Sequence, residues 1–176
     1  MICKSDICLR PLSINDTEFI LELRNNLEDS LSFLSEYPLY DFEHVNWLNN
    51  KEKDIDMIIL FKGEKVGRVR LTNIDYKNQK CEFGIHVKKE FRNKGIAYTA
   101  SVLIIEYVFK NLPIQKIYLH TLKDNEKAFK FFKKLGFEIE GILRNEVFKD
   151  GKFRDVLIMS IFKENWMKYE KNENYI

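Results

Sequence analysis

Between Val87 and Ala97 the chain reads Val-Lys-Lys-Glu-Phe-Arg-Asn-Lys-Gly-Ile-Ala, with Arg92, Asn93, Lys94 and Gly95 at its centre. Before it, residues 81–87 alternate as a strand, with Glu82, Gly84 and His86 on one face and Cys81, Phe83, Ile85 and Val87 on the other. After it, residues 96–110 are apolar with helical spacing. A strand, a tight turn and a helix N-terminus therefore meet at two cations and a glycine. The first N–H groups of a helix have no internal partner, and the dipole there favours negative charge. Gly95 removes a Cβ where an anion would have to approach backbone. The physical reading is a cradle for a pyrophosphate. The chain has no Gly-x-x-x-x-Gly-Lys-Ser/Thr run and no Gly-x-Gly-x-x-Gly, so neither a P-loop nor a dinucleotide fingerprint is present.

A second segment, Asp124 to Phe137, follows a short strand over 116–121. Asp124 or Asn125 can cap a helix whose apolar face is Ala128, Phe131, Phe132 and Leu135, and Gly136 can end it. Arg92-x-x-Gly95-x-Ala97 resembles the acetyl-CoA signature of the GNAT N-acetyltransferases, although a basic turn before any helix can match so short a pattern. Asn125-x-x-Ala128 followed by Leu135-Gly136-Phe137 resembles that family's next motif, at the family's spacing. Gly141 and the Asp150-Gly151 turn before residues 153–160 look like the end of the RimL and spermidine-acetyltransferase branch. The resemblance spans about residues 7–163.

The resemblance implies an α+β GNAT fold: a mixed, mostly antiparallel sheet with helices on both faces, splayed at the acetyl-CoA site. It implies that backbone of Ile85 and Val87 meets the pantetheine. Arg92, Asn93, Lys94, Gly95, Ile96 and Ala97 would surround the pyrophosphate, and Asn125, also a plain helix cap, would reach the pantetheine arm. It implies acetyl-CoA as co-substrate and no metal.

Acyl transfer to an amine needs the neutral amine. A lysine-like amine of pKa about 10.4 is neutral in only about one molecule in 2,500 at pH 7, a cost of about 4.6 kcal/mol. A base is therefore expected, directly or through water. Glu82 matches the family's glutamate; the alternative is a strand-face partner for a Lys or Arg. His86, on the same face, either joins the proton relay or packs on the sheet. The family's usual proton donor to the leaving thiolate is a tyrosine, and the matching position here is Phe132, which has no proton to give. Tyr118 and Tyr98 are substitutes, or core and surface residues. A thiol of pKa about 8.5 is a fair leaving group without help.

The acceptor is expected in a pocket formed by the first two helices and their loop. Arg24 and Asn25 end the first helix and Trp47 lies in the second, which resembles amino-sugar-nucleotide N-acetyltransferases. Arg24 would meet a phosphate and Trp47 or Tyr37 a ring. Arg24 as a surface cation and Trp47 as core are the alternatives. The C-terminal half is as similar to spermidine acetyltransferases, and Glu28, Asp29 and Glu36 lie in the right loop to hold a polycation. A ribosomal-protein N-terminus, or a silent acetyl-CoA-binding module, are further readings.

The elements that must position these groups are legible. A strand is expected over 7–12, then a Ser13/Asp16 cap and a helix to about Asn26, a loop over 28–40, and a second helix from Asp41. Residues 55–61 and 65–73 form a hairpin around Lys62-Gly63-Glu64, and two final strands join at Asp150-Gly151. Residues 164–176 are polar and are expected to fray. The chain of 176 residues is expected to be one domain. Its net charge of +2 gives no argument for nucleic acid or membrane partners. Cys3, Cys8 and Cys81 are too few and too scattered for a metal site or a disulfide framework. No signal peptide or bilayer-length apolar run is evident, so a cytoplasmic protein is expected, with a homodimer implied by the resemblance.

Overall fold

The computed structural model describes residues 1–26, 34, 39–49 and 54–172. The strands are β1 (Ile2–Lys4), β2 (Ile7–Pro11), β3 (Ile55–Phe61), β4 (Glu64–Asp75), β5 (Lys80–Val87), β6 (Lys116–Leu122), β7 (Glu138–Lys149) and β8 (Lys152–Phe162). The helices are α1 (Thr17–Arg24), α2 (Asp41–Asn49), α3 (Ile96–Asn111), α4 (Glu126–Lys134) and α5 (Lys163–Asn172). The strands form one sheet in the order β1-β2-β3-β4-β5-β6-β8-β7. Every pair is antiparallel except β5 with β6, which is parallel because α3 crosses over between them.

Local chemistry explains the hairpins. Lys62 and Gly63 both have positive φ, 52° and 84°, as do Asp150 and Gly151, 49° and 71°. That pattern matches the right-handed twist of the flanking strands, and Asp-Gly adopts it readily. Ser13 and Asp16 act as expected: the Ser13 N–H donates to Asp16 Oδ2 at 3.0 Å, at a 3-10 turn leading into α1.

Neighbouring residues of β3 show how the two faces are used. Ile59 joins the main core with Ile104, Ile105 and Val108 of α3, Phe83 of β5 and Leu119 of β6. Ile58 points the other way and packs with Phe19, Ile20 and Leu23 of α1. The sheet thus carries α3 on one face and α1 on the other.

Two expectations are corrected. Cys3 and Cys8 are not too scattered to pair: β1 folds back on β2 through Ser5-Asp6, Cys3 stands opposite Cys8 across the ladder, and the two form a disulfide. The strand β1 is too short for alternation to reveal it. Residues 163–172 do not fray but form α5, because Trp166 is inserted into the main core and is only 1% exposed. One large apolar residue anchors an otherwise polar segment.

Candidate active site

Strands β5 and β6 pair over only three rungs, Lys80 with Lys116, Cys81 with Ile117 and Glu82 with Tyr118. Beyond Glu82 they part. Strand β5 continues to Val87 paired with β4 alone, and β6 continues to Leu122 paired with β8 alone. The inner edge of β5 from Phe83 to Val87, including Ile85, therefore has no strand partner among the described residues. A strand edge with free amides and carbonyls is suited to an extended amide-bearing ligand. Gly67 holds the far side tight: a Cβ there would collide with the His86 carbonyl and lie 3.0 Å from Val87 Cα.

At the open end of this gap Arg92 to Gly95 form the turn before α3, whose first residues are Ile96 and Ala97. Gly95 is the helix cap, in the left-handed region at φ 77°, and Asn93 is also left-handed at φ 60°. These two left-handed residues bend the chain into α3, whose first amides have no intrahelical partner. No atom lies within 4 Å of the place a Gly95 Cβ would occupy, leaving open space for an anion. Arg92 is tied back by Nε to the Val87 carbonyl at 2.9 Å, and its Nη2 lies 3.4 Å from His86 Nε2. His86 thus meets the turn at Arg92. Lys94 Nζ sits 5.2 Å from the Phe91 ring centroid. Asn125 caps α4 by accepting from the Ala128 N–H at 3.1 Å through Oδ1.

Glu82 occupies the last paired rung, where the two strands separate. Its Oε1 accepts from His120 Nδ1 at 2.8 Å, and its Oε2 accepts from Asn73 Nδ2 at 2.7 Å. An ionised carboxylate can only accept, so His120 Nδ1 carries the proton in this contact. The side chain is a quarter exposed, 24%, so solvent and substrate can reach it. Asn73 and His120 were not legible as site residues. A break in register between Thr72 and Asp75 turns Asn73 toward Glu82, and His120 meets Glu82 only through the parallel pairing of β5 with β6. The one local signal was that Tyr118 and His120 share a strand face.

Phe132 is held in an aromatic cluster with Phe83, Phe131 and Phe137, at centroid distances of 6.3, 5.3 and 6.0 Å. Tyr98 lies under Lys134, 5.1 Å from Nζ to the ring centroid. Tyr118 shares the Glu82 rung, and burial, then the Glu82 charge, raise its phenol pKa. It therefore stays protonated at neutral pH. Burial pushes the Cys81 thiol up to about 12, which leaves it an inert core residue.

The face of the sheet under α1 and α2 is rich in arginine. Arg68 on β4 makes a buried two-pronged ion pair with Asp56 on β3, Nε to Oδ1 at 2.6 Å and Nη2 to Oδ2. Trp47 lies over that guanidinium, with 5.1 Å from Cζ to the ring centroid, and is stacked on His44 at 5.7 Å. Arg24 arrives from the end of α1. Burial, then Arg70, then Arg68, lower its pKa to about 10. Arg24 and Trp47 are thus brought to one surface. Asn25 is turned elsewhere: its amide bonds both the N–H and the carbonyl of Leu39, at 2.8 and 2.9 Å, fastening the end of α1 to the approach of α2. Glu28, Asp29, Glu36 and Tyr37 lie outside the described residues.

Residues 6–138 match the acetyltransferase (GNAT) domain family. The chain belongs to the GNAT acetyltransferases. It is 33% identical over 167 residues to the spermidine N(1)-acetyltransferase of Escherichia coli (strain K12), covering 93% of this chain and 89% of that one. It is 31% identical over 112 residues to the putative ribosomal N-acetyltransferase YdaF of Bacillus subtilis (strain 168), covering 64% of this chain and 61% of that one. Its fold is similar to the crystal structure of spermidine N-acetyltransferase from Vibrio cholerae in complex with CoA and spermine, with a TM-score of 0.87, 29% identity and coverage of 93% and 99%. As a GNAT enzyme the chain uses acetyl-CoA as its acetyl donor, and the splayed strands with the turn at Gly95 fit that ligand. Among the described residues no cluster of His, Cys, Asp and Glu could hold a metal ion, and no helix is long and apolar enough to cross a membrane.

Proposed function

We propose that this enzyme transfers the acetyl group of acetyl-CoA to a primary amine of a small molecule, with Glu82 as the base. The observation that carries this is the position of Glu82, at the rung where β5 and β6 diverge, with both oxygens oriented by His120 and Asn73. Acetyl-CoA supplies the activated acyl group. Ile85 and Val87 offer backbone partners along the free edge of β5. Arg92 to Ala97 receive the pyrophosphate, and Asn125, whose side-chain oxygen caps α4, reaches the pantetheine arm. Glu82 takes the ammonium proton, directly or through one water. His120 and Asn73 keep the carboxylate aimed at the gap. Tyr118, protonated and on the Glu82 rung, serves in place of the donor that Phe132 lacks.

Two acceptor classes have support. Polyamines are supported by relatives named as spermidine N-acetyltransferases. An amino-sugar nucleotide, or another amine bearing an acidic group, is supported by the arginines of the acceptor face, Arg24 above all. A thiol-release assay with acetyl-CoA against spermidine, spermine, nucleotide-linked amino sugars and N-terminal peptides tests the reading. Turnover on one class, abolished in Glu82→Gln with CoA binding intact, is the expected outcome. CoA binding with no turnover on any amine would count against it. We take the protein to act in the cytoplasm as a homodimer, which light scattering and fractionation check.

A further inference from the structure

We propose that the acceptor cleft contains an anion-binding subsite built on Arg70, so that the amine acetylated here carries a carboxylate or a phosphate on the same molecule. This rests on the acetyltransferase reading above and deepens it.

Arg70 stands on β4 between Asp56 on β3 and Gly84 on β5, two residues from the rung of Glu82. Its side chain lies across Gly84: a Cβ there would sit 3.1 Å from Arg70 Nε and 3.3 Å from its Cγ. A side chain at position 84 would press on that path. The guanidinium therefore reaches over β5 on the face that holds Glu82. Solvent reaches Arg70, yet protein crowds it, as on a cleft wall. That desolvation, then the Arg68 charge, lower its pKa below the usual arginine value.

Among the described residues, the two carboxylates on the neighbouring strands are bound by other groups. Asp56 is bound in two places by Arg68, and Glu82 is bound by His120 and Asn73. Asp56, Glu82 and Asp54 attract Arg70 from a distance, but among the described residues none forms a hydrogen bond or ion pair with it. Arg24 and Arg68 add positive charge beside it. A solvent-reached guanidinium that no described carboxylate holds can take a carboxylate or phosphate with two parallel bonds. The second ammonium of a polyamine would instead meet like charge. The pyrophosphate cradle is elsewhere, beyond Val87 and at the N-terminus of α3.

The test uses the full chain saturated with CoA, so that the cradle is filled. Inorganic phosphate and acetate are titrated separately by calorimetry into the unaltered protein, Arg70→Gln, Arg70→Lys and the remote control Lys152→Gln. Saturable binding of one anion to the unaltered protein is expected, telling phosphate from carboxylate. It should weaken at least about tenfold in Arg70→Gln, less in Arg70→Lys, and not at all in the control. In a thiol-release assay Arg70→Glu should raise turnover of spermidine relative to glucosamine 6-phosphate or L-methionine. Absent anion binding, equal binding by Arg70→Gln, or spermidine turnover unchanged by Arg70→Glu would overturn the subsite. Failure to bind CoA at all would overturn the acetyltransferase reading instead.

Discussion

The two halves of the site are built by different means. The half proposed for acetyl-CoA is, apart from Asn125, one continuous stretch, Ile85 to Ala97, and what it offers is backbone: a strand edge without a strand partner among the described residues and the first amides of a helix. The acceptor half is made of side chains from separate places: Glu82 from β5, His120 from β6, Asn73, Arg68 and Arg70 from β4, Asp56 from β3, Arg24 from α1 and Trp47 from α2. A backbone cradle can keep its ligand while the sequence around it drifts. A cleft of side chains can change its ligand through single substitutions. The cradle therefore marks what is shared with other GNAT enzymes, and the cleft marks what this chain does with the donor.

Substitutions that hit one half and spare the other sharpen this contrast. Glu82→Gln should lower kcat by about 10²–10⁴-fold at neutral pH, the usual scale for losing a general base, with an unchanged CoA dissociation constant by calorimetry. The loss should shrink at high pH, where the amine is already neutral. A pH–rate profile matching that of the unaltered protein would remove Glu82 as the base. Asp56→Ala should leave Arg68 buried without its main partner and cost about 3–5 kcal/mol of stability in urea unfolding, loosening the cleft wall. A loss under about 1 kcal/mol would mean that Arg68 finds another partner.

Gly95→Val should do the reverse of Glu82→Gln. A β-branched residue at φ 77° is strained by about 1–2 kcal/mol and occupies the anion's space, so CoA affinity should fall more than about tenfold. Gly95→Ala separates the causes, since it keeps the strain with less bulk. Unchanged affinity in a folded Gly95→Val protein would show that the cradle lies elsewhere. His120→Ala removes one of two bonds that aim Glu82, and about a tenfold loss in kcat with intact CoA binding is expected.

The smallest effect is a pH dependence on the cleft side. Asp16 receives bonds from Arg10 at 2.7 Å, from Lys65 at 3.0 Å and from the Ser13 N–H at 3.0 Å. Led by the Arg10 bond, these hold its carboxyl well below the usual range. A depressed folded pKa gives stability that is present above the unfolded value of about 3.9 and is lost as the pH falls below it. Thermal unfolding of Asp16→Asn should therefore be less stable at neutral pH but fall less steeply under acid. Parallel curves for the two proteins would assign the acid response to other carboxylates.

Much of the frame could be read without coordinates. The hairpins at Lys62-Gly63 and Asp150-Gly151, the long apolar helix after Gly95 and the cap at Asn125 are local events, set by turn chemistry and periodicity within a few residues. The pyrophosphate cradle belongs to the same class, because strand, turn and helix N-terminus are consecutive. Glu82 was legible as a carboxylate on the strand that leads to the turn, but its two hydrogen-bond partners were not. His86 was the nearer imidazole in sequence, and it serves the Arg92 turn instead. His120 comes to Glu82 because two parallel strands pair for three rungs and then separate. Trp166 shows the same limit from the opposite side, since a polar segment became a helix once one indole found the core. The order of residues along the chain therefore dictated the elements and the donor's cradle. The partners of Glu82, the place of Arg70 and the arginine-rich face under α1 and α2 were decided by which strands lie side by side, a long-range choice made by core packing.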